Sequence, residues 1–322
     1  MGKKILKNLG MTIESRSYVD AMHAVLTHAG WTTYSKAVLS GVTVTGFRFA
    51  VHRRLTAESP TAYNWMAENF LAADFVGVTA SSSAGFSFHP TFPLYRDAAI
   101  GQIKASLDRG VGAVIWKDGF AIVAGYDDEE GTLYYDDGGG LGLQRLPYDE
   151  FGQNESPYWY YQVFEGTVEL DPLEIYKESL MQAAYKWETP DRVLPEADYA
   201  CGFAAYDAIK QALSDGVYDP VQAAGVFESY AAAKRDVSEY MEMLSRLWPQ
   251  LEPAADGYRR VADAFQKVMG AMDGDHNRMK RKEQSLVLLF DEAQQAEHGA
   301  IGQIKTFMQE RIRNRFDHIG LR

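Results

Sequence analysis

The texture of the chain changes near residue 170, and that change restricts what it can fold into. Before it, glycines and aromatic residues punctuate short apolar runs; after it, long stretches rich in Ala, Glu, Lys, Met and Leu carry apolar residues at helical spacing. The first texture suits strands joined by turns, the second packed helices. A boundary is therefore expected there, with one domain over 1–170 and another over 171–322. Asp171-Pro172 marks it chemically. Aspartate accepts from the free amides of a helix start, and proline in the first helical position forfeits no hydrogen bond.

In the first part, Ala21, Met22, Val25, Leu26 and Ala29 lie on one helical face, with Gly30 placed to end the helix in a left-handed conformation. Ser59-Pro60 signals a second helix continuing through TAYNWMAENFL, and Asp97 to Asp108 a third. The period then shortens. GAVIW (112–116), FAIVAGY (120–126), GTLYYDD (131–137), LGLQRL (141–146) and YWYYQVFEG (158–166) read as strands separated by turn residues. Helices followed by an antiparallel sheet define an α+β domain. Beyond it, Phe227, Tyr230, Val237, Met241, Leu244 and Trp248, then Ile301, Ile304, Met308 and Ile312, predict an all-α helical bundle. Asp219-Pro220 opens one of its helices, and MDGDHNRMKRKE (272–283) reads as a charged loop.

Composition removes several function classes. A net charge of -12 argues against a nucleic-acid partner. Early apolar positions are interrupted by Lys7, Asn8 and Gly10, and no apolar run reaches the roughly 18–20 residues that span a bilayer. A cytoplasmic protein without a membrane partner is expected. The single cysteine, Cys201, permits no internal disulfide and no thiolate-rich zinc site. Asp273, Asp275 and His276 lack the remaining positions of a calcium loop, and Asp291, Glu292, Glu297 and His298 lack Glu-x-x-His spacing. DDGGGLG (136–142) lies between strands, so it reads as a hairpin turn rather than a phosphate cradle. No metal or cofactor is expected.

Four stretches occur in a telling order: AMHAVLTHAGW, SGVTVTGFRFAVHRR, GVGAVIWKDGFAIVAGYDDEEGTLYYDDGGG and DYACGFAAYDAIKQAL. Together they resemble the family named after the amino-terminal domain of butirosin biosynthesis protein H, in the papain-like group near the bacteriocin-processing peptidases. The strand-turn-strand with Gly-Tyr-Asp is the most specific part. The resemblance implies a papain-like domain with a cysteine at the start of the first buried helix, a histidine heading one strand, and an Asp or Asn on the next. A helix start stabilises a thiolate, the imidazole moves the proton, and the acid fixes its tautomer. Such a site is implied to transfer an acyl group from a carrier protein to an amino sugar, or in peptidase relatives to act on a peptide bond.

Position by position, the reactive groups are missing. The helix start, ESRSYVDAMH (14–23), holds Ser17 but no cysteine; the base position falls at Gly119 or Phe120; only the acid remains, as Asp136 or Asp137. Ser17 is a nucleophile candidate and also a favoured helix cap. His23 and Asp20, three apart, share a helical face. His52 and Arg53, followed by Arg54, offer ligand contacts or solvated loop charges. Cys201, in ACGFAAYDAIKQAL, is either an alternative nucleophile at a helix start or a small apolar residue.

Two function classes follow. One is a pseudoenzyme whose remnant cleft binds a small metabolite, a peptide or a partner protein such as a carrier. The other is an acyltransferase or hydrolase with a nucleophile relocated to Ser17 or Cys201. A structural homo-oligomer, with the bundle's apolar seam meeting a copy of itself as in a homodimer, is a third.

Overall fold

The computed structural model describes residues 2–272 and 276–310, with backbone alone for 276–282 and 310. The chain forms two compact units. The first is built from the chain up to Leu39 together with Asn64–Leu170; the second from Ser40–Tyr63 and the chain from Asp171 onward. Residues 40–63, which a single cut at residue 170 assigns to the first part, belong to the second.

The first unit is an antiparallel sheet with helices. Its strands are β1 (Lys3–Ile5), β3 (Val78–Phe86), β4 (Ala113–Trp116), β5 (Phe120–Asp127), β6 (Thr132–Asp136), β7 (Gln144–Pro147) and β8 (Tyr158–Thr167); β2 belongs to the other unit. They run in the order β3-β8-β4-β5-β6-β7, with β1 paired to the end of β5. Helices α1 (Tyr18–His28), α3 (Trp65–Asp74) and α4 (Phe92–Asp108) accompany the sheet, and α2 (Lys36–Val42) carries the chain onward into the second unit. β5 is buried along nearly its whole length because the sheet's core, from Val25 and Leu26 of α1 to Ile103 and Leu107 of α4, packs over it. Gly30 takes φ 72°, as the end of α1 requires.

The helix expected from Ser59 is absent as such. Ser59–Thr61 makes a single 3-10 turn, and α3 begins only at Trp65, where Asn64 accepts from the Ala67 amide. The local Ser-Pro signal starts a turn, and the true start has its own cap. The helix expected from Asp97 begins five residues earlier, at Phe92. β3 carries no alternating pattern; its sequence VTASSSAGF is fixed by pairing with β8 along its whole length.

The second unit contains α5 (Pro172–Glu188), α6 (Phe203–Asp215), α7 (Pro220–Leu247), α8 (Glu252–Met272) and α9 (His276–Glu310), plus a two-stranded ladder of β2 (Ala50–His52) and β9 (Tyr199–Cys201). Asp171 and Asp219 cap α5 and α7, each followed by proline. The bundle core takes Phe227, Tyr230, Val237, Met241 and Leu244 from α7 and Ile301 and Ile304 from α9. From the other end of the sequence, Phe49 is wedged against Tyr206, Tyr230 and Phe265. The loop expected over 272–283 is helix from His276 onward. Good helix formers, Lys, Arg, Met and Glu, outweigh the charge run there. Asp273, Asp275 and Ile312 lie outside the described residues, as does the side chain of His276.

One buried ion pair lies inside the bundle. Lys234 Nζ donates to both carboxylate oxygens of Glu297 at 2.7 Å, with only 1% and 3% of the two side chains exposed. Tyr206 donates to the same carboxylate at 2.6 Å, and the ammonium lies 4.4 Å from the Phe49 ring centre. Burial holds the Lys234 pKa below its ordinary value despite the partner. Glu297, weighed above for a metal, is thus a structural counter-ion.

Candidate functional site

The candidate site is the junction where the start of α1 meets the head of β5. Ser17 is the N-cap of α1: its hydroxyl accepts from the Val19 amide at 3.2 Å, and Asp20 reaches back to the Ser17 amide. Asp20 also accepts from the amides of Glu14 and Ser15 at 3.1 and 3.0 Å and lies 3.3 Å from Lys36 Nζ. Its carboxylate therefore anchors the turn before the helix and does not bond to His23. The ring of His23 instead meets the Tyr34 carbonyl at 3.1 Å, and half-burial with Lys36 nearby holds its pKa below the usual range. Because a carbonyl can only accept, Nε2 carries the proton in that contact and donates it to backbone.

Gly119 closes the turn from β4 to β5, accepting from the Lys117 amide at 2.8 Å, with Asp118 at φ 58°. Phe120, first residue of β5, points its ring at Tyr18, the first residue of α1: the centroids are 5.4 Å apart and the planes at 79°. Trp116, Trp65 and Tyr160 surround the same ring at 5.1, 5.5 and 6.0 Å. Helix start and strand head are thus brought together and joined by edge-to-face aromatic contacts. Beneath them Gln162, fully buried, accepts from the hydroxyls of Tyr18 and Tyr160 and donates to the Asn69 carbonyl at 3.1 Å.

Asp136 stands opposite Ile122 on the neighbouring strand. Its carboxylate is buried and accepts from the amides of Met11 and Gly138 at 2.9 and 2.8 Å. Asp137 accepts from the Gly139 amide and from Gln144 Nε2, both at 2.8 Å. Both acids serve backbone geometry, one tying the N-terminal segment to the sheet and the other shaping the glycine-rich hairpin. Neither orients an imidazole here.

The sequence reading missed Tyr18, Trp65, Trp116 and the segment 154–158. Three buried polar atoms there have no hydrogen-bond partner among the described residues: Trp116 Nε1, Asn154 Oδ1 and Ser156 Oγ. The Asn154 amino group donates to the carbonyls of Tyr158 and Trp116, at 2.7 and 3.3 Å. Two carbonyl acceptors fix its orientation, so the amide oxygen is the atom left over. The Trp116 indole donor and the Asn154 amide acceptor thus border the aromatic cluster with hydrogen-bonding capacity unspent.

The remaining candidates lie in the second unit. His52 Nδ1 accepts from the Arg54 amide at 3.0 Å, and its ring meets Tyr199 edge-on at 5.1 Å. Arg53 donates through Nε and Nη2 to the Glu196 carbonyl at 3.1 and 3.0 Å. Cys201 ends β9 and, with Arg53 and His298, lines a cleft of about 620 Å³. Gly202, next to it, has φ 55°, and a side-chain carbon there would lie 2.2 Å from the Trp187 carbonyl, so only glycine fits between Cys201 and α6. No protein-family model and no curated protein sequence matches the chain. Among the described residues no helix is long and apolar enough to cross a membrane.

Proposed function

We propose that the protein is a pseudoenzyme of the papain-like cysteine peptidase and acyltransferase group, similar to the butirosin biosynthesis protein H amino-terminal family, and that its remnant cleft binds a small metabolite, peptide or protein segment. One observation carries this reading. The ring of Phe120 rests on Tyr18 at the junction where a base would face a nucleophile, and a phenyl ring neither takes nor gives a proton. Ser17 is spent on capping its helix, and Asp136 on backbone amides. The unspent indole N–H and amide oxygen beside the aromatic cluster support binding by a ligand that pairs an apolar face with a donor and an acceptor.

A second reading keeps catalysis and moves the nucleophile to Cys201, which shares its cleft with His298. Purified protein incubated with an acyl thioester and with a chromogenic peptide separates the two. The expected rates equal buffer background for the wild type, Ser17→Ala and Cys201→Ala alike. Turnover above background that either substitution removes would overturn the proposal.

A further inference from the structure

The cleft around Cys201 lies wholly within the second unit and is separate from the aromatic junction of the first. Its 620 Å³ suit a metabolite-sized ligand. One wall is aromatic: the rings of Trp187, Phe203 and His298 pack together at centroid distances of 5.7, 5.5 and 6.4 Å. Tyr199 contributes a further ring to the lining.

The charge around this wall is lopsided. Glu188, Asp191 and Glu196 line the cleft against a single permanent cation, Arg53. Glu188 is answered by Lys305 outside the lining, at 2.5 Å. Asp191 and Glu196 have no basic side chain within ion-pair distance among the described residues; the Asp191 carboxylate accepts from the Val193 amide, within its own loop. Arg53 donates its fork to the Glu196 carbonyl, a neutral group, and so keeps its positive charge; with Lys305 answering Glu188, the three carboxylates outnumber the cations by one. Two helix ends also line the cleft: the last turn of α5, with its negative dipole end, and the first turn of α6, with its positive one. At about half a charge each they offset one another, leaving the excess negative. No three His, Cys, Asp or Glu side chains among the described residues stand close enough to share a metal ion. Carboxylates spread around a ring-lined space match a larger cation, which gains from the aromatic faces as well as from the acids.

We infer that this cleft is a binding site for an organic ammonium ion: the rings of Phe203, Tyr199 and Trp187 take its apolar body, and Asp191 and Glu196 take its charge. The site is independent of the function proposed for the first unit.

Isothermal titration calorimetry of the full chain with benzyltrimethylammonium, and separately with phenylacetate, tests it. Saturable binding of the ammonium ion without binding of the carboxylate is expected. Asp191→Asn combined with Glu196→Gln, with circular dichroism confirming an unchanged fold, should weaken the ammonium about tenfold, as should Phe203→Ala alone. The single cysteine locates the site: bound ammonium should slow alkylation of Cys201 in the wild type. No saturable binding of the ammonium, equal or tighter binding of phenylacetate, or undiminished affinity in the double variant would each overturn the inference.

Discussion

Replacing Phe120 with alanine tests whether its ring is packing or vestige. The ring has four aromatic neighbours with centroids 5.1 to 6.0 Å away. Removing a fully buried phenylalanine costs about 3–5 kcal/mol, and for a half-buried ring whose cavity opens partly to water the loss falls to about 2–3 kcal/mol. In a unit of roughly 150 residues each kcal/mol lowers the melting temperature by about 2–4 °C, so a drop of about 4–12 °C is expected. Near-UV circular dichroism is the suitable assay, because the same cluster of rings generates the signal and the melting curve. Phe120→Leu keeps the apolar contact but not the edge-to-face geometry, so its cost should be about 1 kcal/mol. Phe120→Ala melting within about 0.5 kcal/mol of the wild type would mean that the ring holds nothing together, and the packing argument would fail.

Three further outcomes are expected. Lys234→Ala leaves the Glu297 carboxylate buried without its cation and should cost about 3–5 kcal/mol in urea denaturation, whereas Lys234→Met with Glu297→Leu and Tyr206→Phe, which strands no donor, should be far milder; equal losses would refute the ion-pair account. Asp136→Ala strands the amides of Met11 and Gly138, costing about 2–4 kcal/mol, and hydrogen exchange at the Met11 amide should accelerate, while Asp136→Asn keeps an acceptor and loses roughly half as much. Lys36 and Thr12 hold the Glu14 carboxyl below its ordinary pKa of 4.5. A depressed folded-state pKa means that the contribution is complete above 4.5 and lost as pH falls through the lower value, so Glu14→Gln should lower stability slightly at neutral pH and flatten the acid limb, the two proteins converging at low pH.

The legible parts of the fold were those written in local chemistry. Asp171-Pro172 and Asp219-Pro220 announce α5 and α7 because a cap and a proline act within three residues of each other. β5 and β6 show in their apolar runs and turn residues. β3 does not, because a strand of alanine and serine has little pattern of its own and owes its conformation to β8, some 80 residues on. The site divides in the same way. Phe120 could be flagged as standing where a histidine is expected, but its neighbours Tyr18, Trp65 and Tyr160 come from three other elements, and no spacing rule links them. Arg53, Cys201 and His298 are likewise strangers in sequence, and only the folded second unit gives them a common cleft.

The detour of residues 40–63 into the second unit imposes a waiting time during synthesis. β2 pairs with β9 across about 150 residues, and the rings packed on Phe49 are those of Tyr206, Tyr230 and Phe265. At ~5–20 residues per second a ribosome needs ~8–30 s to supply β9 and ~11–43 s to supply Phe265. Throughout that interval the nascent chain carries an apolar strand and an unsheltered phenylalanine while the segments on either side of them are free to begin folding. Chaperone occupancy of 40–63 on stalled ribosomes, falling once residues beyond Phe265 emerge, would be the signature of that delay.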